Sequence, residues 1–270
     1  MKRFLMTGLL VIFAATAFAD EISPSDLSTL RKSDVIILGE VHDNPVHHLH
    51  QAQAIASLAP TAVVFEMLTP EQAKLITVDN RSDAADLASA LGWAASGWPD
   101  FAIYYPVFKA AGDAAVFGGN LPRSDVRRAI REGAVAVFGA GAQAYGLTEP
   151  LTTPEQTERE AGQREAHCNA LPEDLLAGMV EAQRLRDAVL ADAVLKAWRA
   201  TGGPVVLITG NGHARRDSGV PAMLAKAAPD LSVFSIGQYE ESAPADPPFD
   251  LYLVTPAAER EDPCLAFRKG

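Results

Sequence analysis

The stretch "DVIILGEVHDNPVHHLHQ" (residues 34–51) turns at Gly39 from a continuous apolar run into Glu40, His42, Asp43, His47, His48 and His50. The run "VIILGE" (35–40) is short, rich in Ile and does not alternate. A strand covered on both faces reads this way, because neither set of alternating side chains meets water. Asn44 then suits an N-cap and Pro45 the first helical position, so a helix is expected over 45–58. The stretch therefore reads as the opening strand, turn and helix of an α/β fold.

The same grammar continues along the chain. Runs at 62–67, 114–120, 204–212, 232–237 and 249–255 read as further strands. Helical patterns over 45–58, 70–91, 104–112, 123–131 and 173–201 fall between them. Strands alternating with helices imply βαβ units. The expectation is a central, mainly parallel sheet flanked by helices, one domain over 20–270. Helical insertions at about 70–112 and 123–200 would form a subdomain or lid. Within the helix at 45–58, Leu49, Ala52, Ala56 and Ala59 are expected to form the buried stripe. His47, His50 and Gln51 then lie opposite it, His50 reads as a solvated residue, and His48 as a packed one.

Composition narrows the role. The first 19 residues combine a basic start (Lys2, Arg3), the apolar run "FLMTGLLVIFAATA" and a small-residue "AFA" before Asp20. That is a secretory signal, too short and too isolated for a spanning helix. No Cys follows the run, so a lipid anchor is not expected, and the product is expected to be soluble and periplasmic. The formal net charge of −11 becomes more negative once Lys2 and Arg3 are lost. Nucleic acid and anionic lipid are poor partners for such a surface. In an oxidising compartment the two cysteines, Cys168 and Cys264, suggest a disulfide between mid-chain and tail.

Sites in open α/β sheets form beyond the carboxyl ends of the strands. There the first strand delivers Glu40 and His42, the second Glu66, the third Asn120, and the fourth Asn211 and His213. A Glu inside "VVFEML" is costly to bury unless it is paired or metal-bound. Two G-x-x-H units, "GEVH" (39–42) and "GNGH" (210–213), would bring two imidazoles together with Glu40 and Glu66. That set suits a divalent transition metal, and a metal-activated water with Glu40 or Glu66 as base. His47, in the first helical turn, would be kept neutral by the helix dipole and could support the site. Arg215 and Arg216 follow His213 and could pair with an acidic ligand group or with Asp217. A plain reading stands beside these: a structural hydrogen-bond network that positions a helical lid.

The segments "ILGEVHDNPVHHLHQ", "VVFEML", "GGNLPR", "HCNALPEDLLAGMVEAQRLRDAVLADAV", "ITGNGHARRDSGVP" and "DPC" resemble ChaN-like proteins. These belong to a wider group that includes Tiki-type proteases and erythromycin esterases. The ChaN resemblance implies haem or iron handling at the cell envelope, with an uptake machinery and a homodimer as conceivable partners. Haem binding in that family is attributed to a Tyr helped by a His, for which Tyr104, Tyr105 and Tyr145 are the candidates. The Tiki resemblance implies instead a metal-dependent peptidase that would use His42, His213, Glu40 and Glu66.

Other motifs weaken under inspection. "AVAVFGAGAQAYG" (134–146) carries G-x-G-x-x-A, the dinucleotide fingerprint. Gly146 and Pro150 interrupt the helix it should open, so a Gly/Ala loop or short packed helix is the better reading. The chain has no G-x-S-x-G elbow and no H-E-x-x-H.

Overall fold

The computed structural model describes residues 19–262 together with 264 and 265; of the expected leader, all but Ala19 falls outside them. The described strands form one sheet: β1 (Asp20–Glu21), β2 (Val35–Glu40), β3 (Ala62–Phe65), β4 (Ala115–Gly118), β5 (Val205–Gly210), β6 (Val233–Glu240) and β7 (Leu251–Thr255). Their order is β1-β7-β6-β2-β5-β3-β4, and every pairing is parallel. Both faces are covered, which explains the unbroken apolar strands. Alternate residues of one strand enter different cores. Val35, Ile37, Val64, Val205 and Leu207 pack with Leu185, Ala188, Ala191 and Val194 of the long helix α9 (Glu173–Thr201). Ile36, Leu38, Val63, Phe65 and Ile208 pack on the other face with α1 (Pro45–Leu58) and α5 (Phe101–Ala110).

The helical insertions divide between these faces. The stretch 70–91 is not one helix but three short ones, α2 (Pro70–Ala73), α3 (Val78–Arg81) and α4 (Ala84–Ala90). Thr69, Thr77 and Asp83 cap them in turn, so each restart satisfies its own free amides. On the α9 side lie α6 (Arg123–Glu132), α7 (Ala134–Phe138) and α8 (Thr153–Ala166). The glycine-rich 134–146 is thus a short helix followed by a 3-10 turn at Ala142–Tyr145, with no strand. Buried Arg184 of α9 anchors it, donating to the carbonyls of Gly146, Leu147 and Glu149 and pairing with Glu181 at 2.6 Å. The single-turn α10 (Asn211–Ala214) and then α11 (Val220–Ala227) follow β5.

The helix α1 departs from expectation. Asn44 caps it by accepting from the Val46 amide at 3.0 Å, and Pro45 is its first residue. Its buried face, however, is His47, His48, Gln51, Ala54 and Ile55, while Leu49 is 55% exposed and Ala56 and Ala59 lie outside the core. An apolar stripe is therefore the wrong guide here. The first two turns lie over the polar strand ends, and they bury hydrogen-bonding side chains that the site needs.

Cys168, at the end of α8, forms a disulfide with Cys264, closing 96 residues of chain. Among the described residues no helix is long and apolar enough to cross a membrane.

Candidate functional site at the strand ends

Register builds the site. Glu40 on β2 faces Gly210 on the central strand β5, so the two G-x-x-H units begin side by side. β3 flanks β5 on its other edge and ends at Phe65, which places Glu66 just past the strand, its amide bonded to Ile208 O. Both turns are tight where the glycines stand. A Cβ on Gly39 would lie 2.4 Å from Asn211 Oδ1, and one on Gly210 would lie 2.8 Å from His42 Nε2.

The result is an alternating chain of acids and imidazoles. Glu40, 2% exposed, accepts from His42 Nδ1 (2.7 Å), Tyr104 Oη (2.9 Å) and Gln51 Nε2 (2.7 Å), with His48 Nδ1 at 3.3 Å. His42 Nε2 lies 4.0 Å from Glu66 Oε2. Glu66 also accepts from the Thr209 hydroxyl (2.7 Å) and the Gly210 amide (2.8 Å), and its Oε1 lies 3.5 Å from His213 Nε2. His213 Nδ1 bonds Asp187 of α9 at 2.7 Å. Glu66 thus stands between the two imidazoles, each of which has its own carboxylate on the far nitrogen.

Electrostatics follow from this order. Burial opposes charge on Glu40, yet bonds from His42 and His48 bring its pKa down to about 2. Glu66 is likewise held well below the usual range against burial, by His213 and His42. Burial also opposes the imidazolium of His213, but Glu66 and Asp187 raise its pKa to about 10. His42 is raised too, Glu66 and Glu40 outweighing burial. Burial raises Asp187. Glu66 and His213 therefore face each other as a buried ion pair near neutral pH. Among the described residues, no group of three or more His, Cys, Asp or Glu is placed to hold a metal ion.

The other expected site residues go elsewhere. His47 is fully buried; burial brings its pKa down to about 4, and it accepts from the Val41 amide while its Nε2 meets Thr255 Oγ1 at 2.8 Å. It is neutral because it is buried, where the expectation rested on the helix dipole, and it clamps the turn to β7. His50 is half-buried and bonded to Gln238 through Nδ1. Asn211 ties the turn to β6 through both the amide and the carbonyl of Gln238, and Asn120 bonds Met67 O and the Leu121 amide. Arg215 pairs with Asp217 and Glu158, and Arg216 with Asp250. All three candidate tyrosines donate their phenol protons inside the protein: Tyr104 to Glu40, Tyr105 to Ser82 O, and Tyr145 to Asp192.

Sequence reasoning missed Gln51, Asp187 and Trp98, whose ring centroid lies 4.9 Å from that of His42. Asp187 had a signal: with Arg184 it is a charged residue on the buried face of an otherwise apolar helix.

Beside Asp187 the surface opens into a cleft of about 660 Å³ between α8, α9 and the turn after β5. Ala161, Ala166 and Val180 supply apolar wall; the polar wall combines Arg159 and Arg215 with the carboxylates of Glu155, Glu158, Glu165, Asp187 and Asp217. Arg159 makes no hydrogen bond or ion pair with another described residue, although it lowers the pKa of Asp187 through space.

The family model described as "Haem-binding uptake, Tiki superfamily, ChaN" matches residues 27–224. The chain belongs to that family. A solved structure titled "Cofacial heme binding to ChaN of Campylobacter jejuni" is 21% identical, with a TM-score of 0.63 over 84% of this chain and 89% of that one. The type III effector HopBA1 is 10% identical with a TM-score of 0.48, over 92% of this chain and 100% of that one. No curated protein matches this sequence at a significant level. The likeness to the C. jejuni structure confirms the expected α/β fold, and the family does not favour the hydrolase alternative.

Proposed function

We propose that this protein binds haem outside the cytoplasm, in the cleft beneath α8. The observation that carries the reading is membership of the haem-binding ChaN family over residues 27–224. The cleft supports it: about 660 Å³ lies within the span of roughly 300–1,000 Å³ common for cofactor sites. Part of the lining suits the macrocycle, although the carboxylates of Glu155, Glu158, Glu165, Asp187 and Asp217 also face the cleft. Ala161, Ala166 and Val180 offer it an apolar wall, and the unpaired guanidinium of Arg159 suits a propionate. Bound haem would supply an iron centre; the chain supplies binding, orientation and charge. The disulfide and the signal-like leader in the sequence support an extracytoplasmic site of action.

The C. jejuni structure is described as binding haem cofacially. By that analogy a second copy of this chain is the proposed partner, with envelope uptake machinery downstream. The direct test is titration of the purified protein with haemin, followed by the Soret band and by size-exclusion chromatography. A saturable Soret shift supports the reading, and its absence sinks it.

A further inference from the structure

One wall of the cleft is held differently from the rest. Glu155, Glu158, Arg159, Ala161 and Ala166 all come from α8, a polar helix of 14 residues that buries none of its own side chains. A helix that short is marginal in water and depends on what it packs against. Ion pairs tie it to α9 through Arg164 and Glu173 (2.7 Å) and to the turn after β5 through Glu158 and Arg215 (3.4 Å). All four side chains are open to water, so each pair holds little. The facing wall is fixed, because its Val180 and Asp187 are buried residues of α9.

A covalent tie stands at the carboxyl end of α8. Cys168 lies just past the helix, and its disulfide partner Cys264 lies beyond β7. The tail leading to Cys264 is clamped to the strand ends, because Arg260 pairs with Glu240 of β6 and with Asp43, each at 2.7 Å. The sheet therefore reaches α8 through the tail and one S–S bond. Backbone strain sits at the same place. Cys168 and Asn169 both have left-handed backbone, at φ 58° and 56°. Asn visits this region readily, but a residue such as Cys stays there only where its surroundings hold it. Both cysteines are half-buried, so a thiol from solution can reach them.

We propose that the Cys168–Cys264 disulfide is a redox latch on the cleft: oxidised, it holds α8 in place as a wall; reduced by a dithiol, it frees that wall and the cleft releases its ligand. The ligand rests on the haem reading, whereas the freeing of α8 does not. The reductant is a protein dithiol of the kind an oxidoreductase carries. One of its thiolates attacks a sulfur of the pair, the S–S bond breaks, and a mixed disulfide forms. Its second thiolate then displaces the protein sulfur. The protein gains two electrons and two protons as two thiols, and the dithiol leaves as a disulfide. Cys168 and Asn169 can then relax, and α8 keeps only its weak packing and surface pairs. Ligand binds the closed fraction of the reduced protein, so affinity falls with that fraction.

The test compares three full-length proteins: the oxidised wild type, the wild type reduced by dithiothreitol without denaturant and blocked with iodoacetamide, and Cys168→Ser/Cys264→Ser. Thermal melts check that each is folded, and a reduced sample re-oxidised in air must return to the oxidised behaviour. Hydrogen exchange is followed without ligand, and haemin is titrated once the dithiothreitol has been removed. Both latch-free forms should exchange at least about tenfold faster over 153–166, with β2 and β5 unchanged, and should bind haemin about tenfold more weakly. A disulfide that yields to dithiothreitol only after unfolding is a staple, and the latch falls. Unchanged exchange over 153–166, or equal acceleration in β5, overturns it as well. Faster exchange in α8 with haemin affinity intact also overturns the latch and leaves the haem reading standing. If the oxidised wild type binds no haemin, the haem reading falls and exchange alone decides whether the disulfide holds α8.

Discussion

The strand-end cluster and the cleft beneath α8 meet at Asp187, yet they differ in one respect. In the cluster every ionised group is answered: Glu40 by four side chains, Glu66 by two imidazoles, a hydroxyl and an amide. In the cleft, Arg159 has no bonding partner among the described residues. A buried polar network that is fully satisfied holds structure, because nothing in it gains from a ligand. An unsatisfied group at a concave surface gains from one. On the proposed reading the cluster, which carries the more conspicuous chemistry, is scaffold, and the quieter cleft is the place to bind.

Breaking the cluster should cost the most. Glu66→Gln leaves His42 and His213 facing a neutral amide, with His213 buried. Loss of one partner from a buried ion pair costs about 3–5 kcal/mol. Urea unfolding should show that loss, and a change below about 1 kcal/mol would return the cluster to the list of ligand sites. Next comes the disulfide. Replacing Cys168 and Cys264 by Ser opens a loop of 96 residues and should cost about 2–4 kcal/mol. The effect should concentrate in α8, which buries no residue of its own. Hydrogen exchange would show it as faster exchange over 153–166 than in the β-sheet.

The pH response tests the cluster without mutation. Glu40 has its pKa lowered to about 2, so the stability it contributes is present above its ordinary value of 4.5 and is lost as pH falls toward 2. Glu66 acts in the same direction. His213 has its pKa raised to about 10, so its contribution is complete below the ordinary 6.5 and is lost as pH rises through 10. Stability measured by denaturant should therefore fall on both sides of a maximum at mildly acidic to neutral pH. A profile that keeps rising above pH 7 would show that His213 is neutral in the folded protein, and would reopen it as a ligand.

Much of this was legible in the sequence, for reasons that also mark the limits. The β2 and β5 runs are buried on both faces, so their composition alone announces a parallel sheet. The G-x-x-H units announce their place because the strand ends are fixed by topology. The α1 helix was misread because periodicity reports apolar burial, whereas its first turns bury His47, His48 and Gln51. The bonding of the tyrosines was hidden for a related reason. Whether a phenol is free depends on a partner far along the chain, and Glu40 lies 64 residues from Tyr104.

The smallest stability change belongs to the cleft, and it is the sharpest test of the comparison. Arg159 is half-buried and without a bonding partner, so Arg159→Gln should move the unfolding free energy by no more than about 0.5 kcal/mol. It should nevertheless weaken haemin binding by several fold, because the propionate loses a charge-assisted bond of roughly 1.5–3 kcal/mol in a partly solvated site. A porphyrin with both carboxylates esterified has no charge to lose. Wild type and Arg159→Gln should therefore bind the diester equally, and isothermal titration with both compounds separates the two terms. An Arg159→Gln protein that loses stability but not affinity would reverse the assignment, making the cleft scaffold and leaving the binding surface to be sought on another face.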